Sequence, residues 1–505
     1  MFVSAVTTYL YFNKIMKLKA RRSISFLILI WTIVFTSCGY RSTTENIEPP
    51  NVIFILVDDL GYGDLSFYGQ KVLSTPALDK MAKGGMHFTN MYTGSTVCAP
   101  SRASLMTGKH TGHTSVRGNL PKQLLGDDEI TLAKVFKNAG YKTGAIGKWG
   151  IGHPPPPDDP QKKGFDYFYG YLNMWHAHNF YPEFLYENGL KVQMKNKLEL
   201  LDGENPWLDK PEGTGVAQVK EEYVHQLFDE KAMEFIEGNK NNKFFLYMAY
   251  NVPHANNEAG SLKGDGMEVP DYYEFSDEDW PQPEKGFAAM IRNIDRSVEM
   301  IINKIKDLGL EENTLIIFSS DNGPHQEGNH MMEFFNSNGN YRGLKRDFYD
   351  GGIKTPFIVQ WPGVIMENSK SDQLLAFWDL LPTFSDLVNA ERPMDTDGIS
   401  FLPLLTGREQ NEKHDYLYWE FFELGGKQAI LKDNWKAIKL NVRGPDDEIV
   451  FELYDLDSDP EELTNLASLQ PEMVVYFDSL FKASREEFTV TPLFSVDEQV
   501  VETPF

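Results

Sequence analysis

Residues 50–59 read PNVIFILVDD, a continuous apolar run of strand length that ends in two aspartates. Such a run is typical of a strand that is buried on both faces, as strands are inside a parallel sheet. Comparable runs occur at 244–249 (FFLYMA), 314–318 (TLIIF) and 356–360 (PFIVQ). The four runs predict the strands of one buried sheet.

Helical patterns separate these runs. From 287 to 308 apolar residues recur every three or four positions, which predicts a helix with one buried face and Gly309 as its C-cap. A shorter helix is predicted from 131 to 138, ending near Gly140. Strands that alternate with helices predict an α/β fold, with a large, mostly parallel central sheet and helices on both faces. The polar segments 188–215 and 255–286 are predicted to be surface loops around a site.

The pattern changes after about residue 405. Aromatic, strand-like segments at 416–422, 428–440 and 449–455 predict a small antiparallel sheet, packed with a terminal helix near 471–487. We therefore divide the folded chain into an N-terminal domain at 51–404, expected to hold the catalytic site, and a C-terminal subdomain at 405–505.

The N-terminus carries a targeting pattern. A basic cluster at 17–22 precedes an apolar stretch at 24–35, which is too short to span a bilayer and fits a signal peptide over 1–37. The following TSCG resembles a bacterial lipobox, so Cys38 is predicted to be lipidated and residues 38–50 to form a tether. Met16 is a possible true start. The protein would then be exported to the periplasm or cell surface and held to the outer membrane by lipid alone; an ordinary cleaved signal is the alternative.

Composition excludes one class of function. The chain has 505 residues, with 73 acidic and 48 basic side chains and a net charge of −25. This argues against non-specific nucleic-acid binding, which needs lysines and arginines to neutralise phosphates. It leaves room for a small anionic substrate in a local basic pocket. The chain has only two cysteines, and a Cys38–Cys98 disulfide is the alternative to the separate roles proposed for them.

Two of the predicted strands run into oxygen-bearing side chains. Asp58 and Asp59 follow the first run, and Asp321 and Asn322 follow the run at 314–318. Ligands of open α/β sheets lie at the carboxyl ends of strands, and converging carboxylates repel one another unless a cation separates them. Oxygen ligands favour Ca²⁺, or less readily Mg²⁺, over zinc. The alternative is a pair of ordinary turns, since Asp-Asn-Gly is a common turn sequence.

The most specific motif is CAPSR at 98–102, followed by ASLMTG at 103–108. Here the chain resembles the formylglycine-dependent sulfatases of the alkaline phosphatase superfamily, whose signature is Cys-x-Pro-x-Arg. Further motifs of the family follow in the expected order: GKW at 147–149, PH at 253–254, GLK at 343–345, DGGIKTP at 350–356 and YDL at 454–456. The resemblance covers roughly residues 51–470.

The resemblance implies hydrolysis of a sulfate ester. A maturation enzyme would oxidise Cys98 to formylglycine, whose hydrate is the nucleophile. Asp58, Asp59, Asp321 and Asn322, together with residue 98, would hold Ca²⁺.

It also implies roles for four further side chains. Arg102 would hold the hydrated aldehyde near the metal. Lys148 and Lys345 would clamp the sulfate, and His254 would protonate the leaving alcohol. Taken singly, the two lysines are typical of solvated surface residues, and His254 of a buried structural histidine.

Two positions depart from the family. Many members read Pro-His-x-Pro, whereas this chain has Asn256 two residues after His254. The second departure is at Gly150. Many sulfatases read Gly-Lys-Trp-His, whereas this chain has Gly150 after GKW. The proton acceptor for the second half-reaction is then missing, and we hypothesise that His176, His178 or His325 replaces it.

The expected substrate is a sulfated carbohydrate, as for surface enzymes that desulfate polysaccharides. The aromatic-rich segment 173–188 is typical either of sugar contacts or of core packing. Two alternatives remain at this stage: a phosphatase or phosphodiesterase of the same superfamily, and a non-catalytic glycan-binding lipoprotein.

Overall fold

Strand β1 (Asn51–Asp58) lies inside a ten-stranded sheet. The computed structural model describes residues 48–119, 123–151, 159–201, 203–488 and 493. Every residue of β1 is buried, because alternate side chains enter different apolar clusters. Ile53 and Ile55 belong to one cluster, and Phe54 and Leu56 to the other. The sheet is therefore covered on both faces, as the continuous apolar run predicted.

The strands of the described residues are, in chain order, β1, β2 (Met86–Phe88), β3 (Met91–Tyr92), β4 (Lys142–Lys148), β5 (Tyr167–Tyr171), β6 (Phe184–Glu187), β7 (Leu190–Gln193), β8 (Lys197–Leu198), β9 (Ala217–Val219), β10 (Phe244–Pro253), β11 (Thr314–Ser320), β12 (Phe357–Gln360), β13 (Ser369–Ser371), β14 (Leu375–Ala376), β15 (Leu417–Phe421), β16 (Lys427–Lys432), β17 (Trp435–Leu440) and β18 (Val450–Asp455). The large sheet has the order β13-β2-β12-β11-β1-β10-β4-β5-β6-β7.

The centre of the large sheet is parallel. Strands β11, β1, β10, β4 and β5 are parallel neighbours, whereas β12 and β6 run antiparallel to the strands beside them. The predicted run at 356–360 thus joins the sheet as an antiparallel strand. The sheet is mixed, with the predicted parallel arrangement at its core and antiparallel pairs towards both edges.

The α-helices of the described residues are α1 (Pro76–Lys83), α2 (Cys98–Thr107), α3 (Leu132–Asn138), α4 (Val224–Asn239), α5 (Asn257–Lys263), α6 (Gln282–Asp307), α7 (Met332–Phe335), α8 (Asp350–Ile353), α9 (Leu380–Leu387), α10 (Leu402–Leu405) and α11 (Pro471–Ala483). Helices α1, α4 and α6 pack on the Ile53 face of β1, and α2, α3 and α9 on the Phe54 face. The predicted α/β architecture is confirmed.

Two predicted helix ends are also present. Helix α6 ends at Asp307, and Gly309 adopts a left-handed φ of +67°, as expected of a residue just beyond a helix terminus. Helix α3 begins after Thr131, whose hydroxyl accepts a hydrogen bond from the Lys134 N–H at 3.2 Å. The segments predicted as loops contain the short elements β7, β8 and α5, whose periodicity is too brief to be recognised in the sequence. The segment 255–286 also contains the first five residues of α6, which begins at Gln282.

The C-terminal strands β15–β18 form the predicted antiparallel sheet. Helix α11 packs on one face of it through Phe477 and Phe481. The other face contributes Trp419 to a cluster with Tyr92 and Val97, directly before α2. The described residues from Pro49 onward belong to one compact unit, and the division at residues 404 and 405 stays a prediction.

The predicted signal peptide, Cys38 and the tether up to residue 47 lie outside the described residues. Among the helices that are described, none is both long enough and apolar enough to cross a membrane. The export and lipidation of the protein therefore stay predictions.

Candidate active site

The four predicted metal ligands lie together at one edge of the sheet. Strands β1 and β11 are parallel neighbours, so the residues that end or follow them meet: Asp58 and Asp59 on one strand, Asp321 and Asn322 on the other. All four side chains are buried. One carboxylate oxygen from each of the three aspartates lies within 4.8 Å of the others.

These side chains also bind one another. The Asp59 N–H donates to Asp321 Oδ1 at 3.1 Å, and the Asn322 amide donates to Asp59 Oδ1 at 2.6 Å. Asp59 adopts a φ of +68°, which is uncommon outside glycine and turns the chain sharply after β1. The turn presents two consecutive aspartates to the same edge.

The donor set fits a hard cation. Asp58 Oδ1 and Asn322 Oδ1 are buried and have no hydrogen-bond partner among the described residues. Burial, and then the charge of Asp58, raise the pKa of Asp321 to about 7, because too few positive charges offset the carboxylates. Oxygen atoms of this kind suit Ca²⁺ or Mg²⁺.

Helix α8, which contains Asp350, Gly351 and Gly352 (the DGG segment), packs against Gly323, the residue after Asn322. The Gly323 N–H donates to the Gly352 carbonyl at 2.9 Å. A Cβ at Gly323 would lie 2.0 Å from the Gly351 carbonyl oxygen, so only glycine permits this approach. The Asp-Asn-Gly sequence is therefore more than a turn signal, because the glycine lets α8 pack directly behind Asn322.

Cys98 is the first residue of α2 and is 3% exposed. Asn119 Oδ1 accepts from the Ala99 N–H at 3.2 Å and lies 3.9 Å from Cys98 Sγ. Burial raises the pKa of the Cys98 thiol, and Lys148 only partly opposes this. An unmodified thiol of this kind is a poor nucleophile, since the thiolate is the reactive form.

Arg102 lies one turn further along α2 and is fully buried. Its Nε donates to Asp321 Oδ2 at 2.8 Å, and its Nη1 donates to the Lys148 carbonyl at 2.6 Å. Its Nη2 lies 3.6 Å from Asp58 Oδ1. One guanidinium thus joins the helix of Cys98 to the cation site and to the end of β4.

The two predicted lysines each donate to a carboxylate of the cation site. Lys148 Nζ, at the end of β4, donates to Asp58 Oδ2 at 2.6 Å, and Lys345 Nζ donates to Asp59 Oδ2 at 2.8 Å. Burial alone would lower the pKa of each lysine, but these aspartates outweigh it and the pKa of each is raised. Both ammonium groups therefore remain charged inside the protein.

His254 follows β10 and contacts Lys345. Its Nδ1 lies 2.6 Å from the Ala255 carbonyl, which only accepts, so Nδ1 carries a hydrogen. Its Nε2 then accepts from Lys345 Nζ at 3.0 Å. Burial and the Lys345 charge lower the pKa of His254 to about 3, so the imidazole is neutral. In this hydrogen bond Lys345 carries the proton and His254 Nε2 accepts it.

Gly150 has a left-handed φ of +63°. A Cβ there would lie 3.0 Å from Lys148 Cε and 3.6 Å from Arg102 Cδ. The backbone beside Lys148 is therefore shaped for glycine, and a larger residue would be both strained and crowded.

The three candidate replacements for the missing histidine lie in different surroundings. The His178 ring stacks on His254, with ring centroids 4.8 Å apart. His325 uses both nitrogens: Nε2 donates to the Pro253 carbonyl and Nδ1 accepts from a backbone N–H, each at 2.9 Å. His176 packs between aromatic rings, and burial lowers its pKa to about 3. Only His178 and His325 are brought to the His254 ring, and the compensation hypothesis stays a prediction.

Sequence reasoning missed two residues of this site. Glu327 accepts from Lys345 Nζ at 3.1 Å and from Arg346 Nη1 at 2.6 Å, and so positions Lys345. Asn119 holds the start of α2. Neither residue belongs to a matching motif; the only available signal for Glu327 was its place in the loop after β11.

An α/β sheet with three clustered aspartates at its carboxyl edge, beside Cys98 on an adjoining helix, is the arrangement expected of a sulfatase of the alkaline phosphatase superfamily. The sequence profile of the Sulfatase family matches residues 50–390, and the profile of the N-sulphoglucosamine sulphohydrolase C-terminal region matches residues 340–482. The chain therefore belongs to the sulfatase family and is a sulfuric ester hydrolase.

Similar proteins cover most of the chain. An N-acetylgalactosamine-6-O-sulfatase of Bacteroides thetaiotaomicron is 30% identical over 89% of this chain and 96% of its own length. Arylsulfatase A of Bos taurus is 31% identical over 81% of this chain and 78% of its own length.

Solved structures of similar proteins share the fold of this chain. A sulfatase from the core glycosaminoglycan locus of Bacteroides thetaiotaomicron superposes with a TM-score of 0.69 and 26% identity, covering 86% of this chain and 99% of that chain. Ps i-CgsB, solved with a neocarrahexaose, has a TM-score of 0.70 and 25% identity, covering 88% and 94%.

Proposed function

We propose that this protein hydrolyses sulfate esters of a sulfated carbohydrate, through a formylglycine derived from Cys98 and with Ca²⁺ at the aspartate cluster. The observation that carries the proposal is the position of Arg102, which binds Asp321 and lies one helical turn from Cys98. The similar proteins whose names state a substrate act on sulfated sugars, which supports a carbohydrate substrate.

Two groups would supply the reactivity. Formylglycine at position 98 would provide a hydrated aldehyde, one hydroxyl of which attacks sulfur while the other allows the sulfate to be expelled. Ca²⁺, held by Asp58, Asp59, Asp321 and Asn322, would offset the charge that develops on the sulfate oxygens.

The protein's own side chains would orient and neutralise the sulfate. Lys148 and Lys345 contact the aspartate cluster through Asp58 and Asp59, respectively, and both are charged. Charged donors in a buried site interact strongly with an anion, because little water screens them.

The leaving alcohol needs a proton. His254 remains the proposed acid. Its Nε2 accepts from the Lys345 ammonium, so an alcohol oxygen placed beside Nε2 could take a proton directly from the imidazole, once that ring is protonated, or from Lys345. Glu327 holds the Lys345 ammonium in place. For the second half-reaction we retain the hypothesis of a compensating histidine, and favour His178 because its ring contacts His254.

Maturation must precede folding. Cys98 is 3% exposed and lies inside the first turn of a buried helix, so an oxidising enzyme cannot reach it in the folded protein. We propose that a maturation enzyme modifies the unfolded segment before or during export. We also propose that Cys38 then anchors the protein to the outer membrane through lipid.

The experiment is expression with and without a sulfatase-maturating enzyme. Mass spectrometry of the peptide that contains Cys98 should show the aldehyde only in the first sample, and only that protein should release sulfate from sulfated sugars. Cys98→Ala should fold, with an unchanged melting temperature, and release none. Chelation should abolish turnover, and Ca²⁺ should restore it better than Mg²⁺.

Two results would contradict the proposal. One is sulfate release by Cys98→Ala. The other is faster release of phosphate than of sulfate from a matched pair of aryl esters, which would favour the phosphatase alternative.

A further inference from the structure

A cavity of about 400 Å³ is lined mainly by residues of the segment predicted as a loop at 188–215. Its lining includes Trp207, Lys210, Lys191, Phe184 and Glu212. Cavities that bind small molecules commonly measure about 300–1,000 Å³, so this volume suits one or two sugar rings. None of the residues assigned to the proposed reaction lines it.

A continuous set of ring contacts joins the cavity to His254. The His178 ring stacks on His254 at 4.8 Å, and the Trp175 ring lies 5.6 Å from His178. Lys210 Nζ lies 4.5 Å above the Trp175 ring and also lines the cavity. Lys210, at the wall of the cavity, is thus linked through two rings to His254, the residue proposed to protonate the leaving alcohol.

Of the two lysines that line the cavity, one forms an ion pair with a carboxylate of the lining. Lys191 forms an ion pair with Glu212 and lies 4.4 Å over the Phe184 ring. Lys210 forms no ion pair within the part of the chain that the structure describes; its ammonium lies over the Trp175 ring, and its charge also acts on Glu258, which pairs with His178. A cation at the wall of a cavity that is not held in an ion pair can bind a ligand that brings its own negative charge.

Trp207 provides a flat apolar surface in the same wall. A Cβ at Gly215 would lie 2.8 Å from Trp207 Cε3, so the indole rests directly on the backbone of Gly215. The indole is partly exposed and lines the cavity. Indole rings of this kind pack against the apolar faces of sugar rings. Glu183 and Asn205, also in the lining, are suited to binding sugar hydroxyls.

We propose that this cavity is a subsite for a second sugar unit, which carries an anionic group, next to the sulfated sugar that is hydrolysed. Trp207 packs on the ring of this second unit, and Lys210 binds its anionic group, which is either a uronic acid carboxylate or another sulfate. The inference rests on the proposed function and extends it from a sulfated carbohydrate to an oligosaccharide with neighbouring negative charges.

The test compares substrates with and without the second unit. The substrates are an aryl sulfate, a sulfated monosaccharide, and oligosaccharides in which that sugar is linked to a neutral sugar, to a uronic acid, or to a second sulfated sugar. The last two distinguish the two sources of negative charge. The wild-type protein should prefer one or both of them, as measured by kcat/KM.

The variants are Lys210→Ala, Trp207→Ala and Trp207→Phe. Lys210→Ala should lower kcat/KM for the anionic oligosaccharides about tenfold, mainly through KM, as expected from loss of one charge-assisted hydrogen bond. Trp207→Ala should lower it for all the oligosaccharides, and Trp207→Phe should restore part of the loss. Turnover of the aryl sulfate should not change. The matched control is Lys195→Ala, since Lys195 is an exposed lysine of the same segment that pairs with Glu222 outside the cavity.

Three results would overturn the subsite: equal losses on the aryl sulfate and the oligosaccharides, no loss in any variant, or no preference of the wild-type protein for an anionic oligosaccharide. If the matured wild-type protein releases sulfate from none of the substrates, the proposed function fails instead. Calorimetric binding of the same oligosaccharides to the Cys98→Ala protein then decides the subsite, since Lys210→Ala must weaken that binding.

Discussion

A buried lysine in the C-terminal sheet offers a test of how that sheet supports the active site. Lys436 is 0% exposed and lies 2.8 Å from a carboxylate oxygen of Asp350 and 2.8 Å from one of Glu462. Asp350 begins helix α8, whose Gly352 carbonyl binds Gly323 beside the cation site. Replacing Lys436 by methionine keeps most of the volume and removes the charge that the two carboxylates share.

The expected loss in the free energy of unfolding depends on the contacts that Asp350 and Glu462 keep in Lys436→Met. Breaking a buried ion pair by removing one partner costs about 3–5 kcal/mol. Asp350 retains Lys354 at 3.3 Å and the Tyr92 hydroxyl, whereas Glu462 retains the Asp350 N–H at 2.6 Å. Because these contacts remain, we expect Lys436→Met to lower the free energy of unfolding by about 3 kcal/mol, the lower end of that range. Lys354→Met removes a longer ion pair from the same aspartate, which keeps Lys436 at 2.8 Å, and should therefore cost less, about 1–2 kcal/mol.

The assay is urea denaturation followed by tryptophan fluorescence, with Ca²⁺-dependent thermal stabilisation as a second measurement. Lys436→Met should unfold at clearly lower urea than Lys354→Met and should also bind Ca²⁺ more weakly, because α8 lies behind Asn322. The double replacement Lys436→Met with Glu462→Gln should recover part of the loss, since it removes one of the stranded charges. If Lys436→Met were no less stable than Lys354→Met, the shared ion pair would not be what holds the two regions together.

Three further outcomes are expected. Asp321→Asn should abolish the rise in melting temperature that Ca²⁺ gives the wild-type protein, because it removes one of three clustered carboxylates; an unchanged rise would place the ion elsewhere. Gly150→Ala should lower the free energy of unfolding by about 1–2 kcal/mol, because its φ is left-handed and its Cβ would press on Lys148; equal stability by urea denaturation would show that the backbone relaxes there. His113 hydrogen-bonds to Asp397, and this bond raises the pKa of His113 although burial opposes it. The bond therefore stabilises the fold at pH values below the ordinary pKa of histidine, and this stabilisation is lost as the pH rises through the raised value. The melting temperature of His113→Gln should accordingly fall furthest below wild type near pH 5.5 and approach it near pH 8.5, and a constant difference would exclude this linkage.

Much of the fold was accessible from local patterns. The runs that became β1, β10 and β11 are apolar at nearly every position because both faces of the sheet are covered, and that requirement is visible in the sequence alone. The proposed metal ligands could be predicted for a related reason. Asp58 and Asp321 each lie at the end of such a run, and parallel neighbours end at the same edge.

Other features depend on which residues meet across long stretches of chain. Strand β12 carries the same kind of apolar run but pairs antiparallel, because direction is set by how the chain returns to the sheet and leaves no mark on composition. Glu327 and Asn119 occupy loops, where no periodicity applies, and only their contacts with Lys345 and α2 reveal them. His325 was a candidate base from its position, but the folded chain engages both of its nitrogens with backbone groups.

The distinction has a simple physical basis. Burial on two faces, a helical period and a matched motif are properties of neighbouring residues, so the sheet core, the acidic edge of the sheet and Cys98 could all be identified from the sequence. Hydrogen bonds such as those from Lys345 to Asp59 and Lys436 to Asp350 join residues far apart in the chain. Their existence depends on the packing of the whole molecule, and only the tertiary structure shows that the C-terminal sheet, the DGG segment and the active site form one connected network.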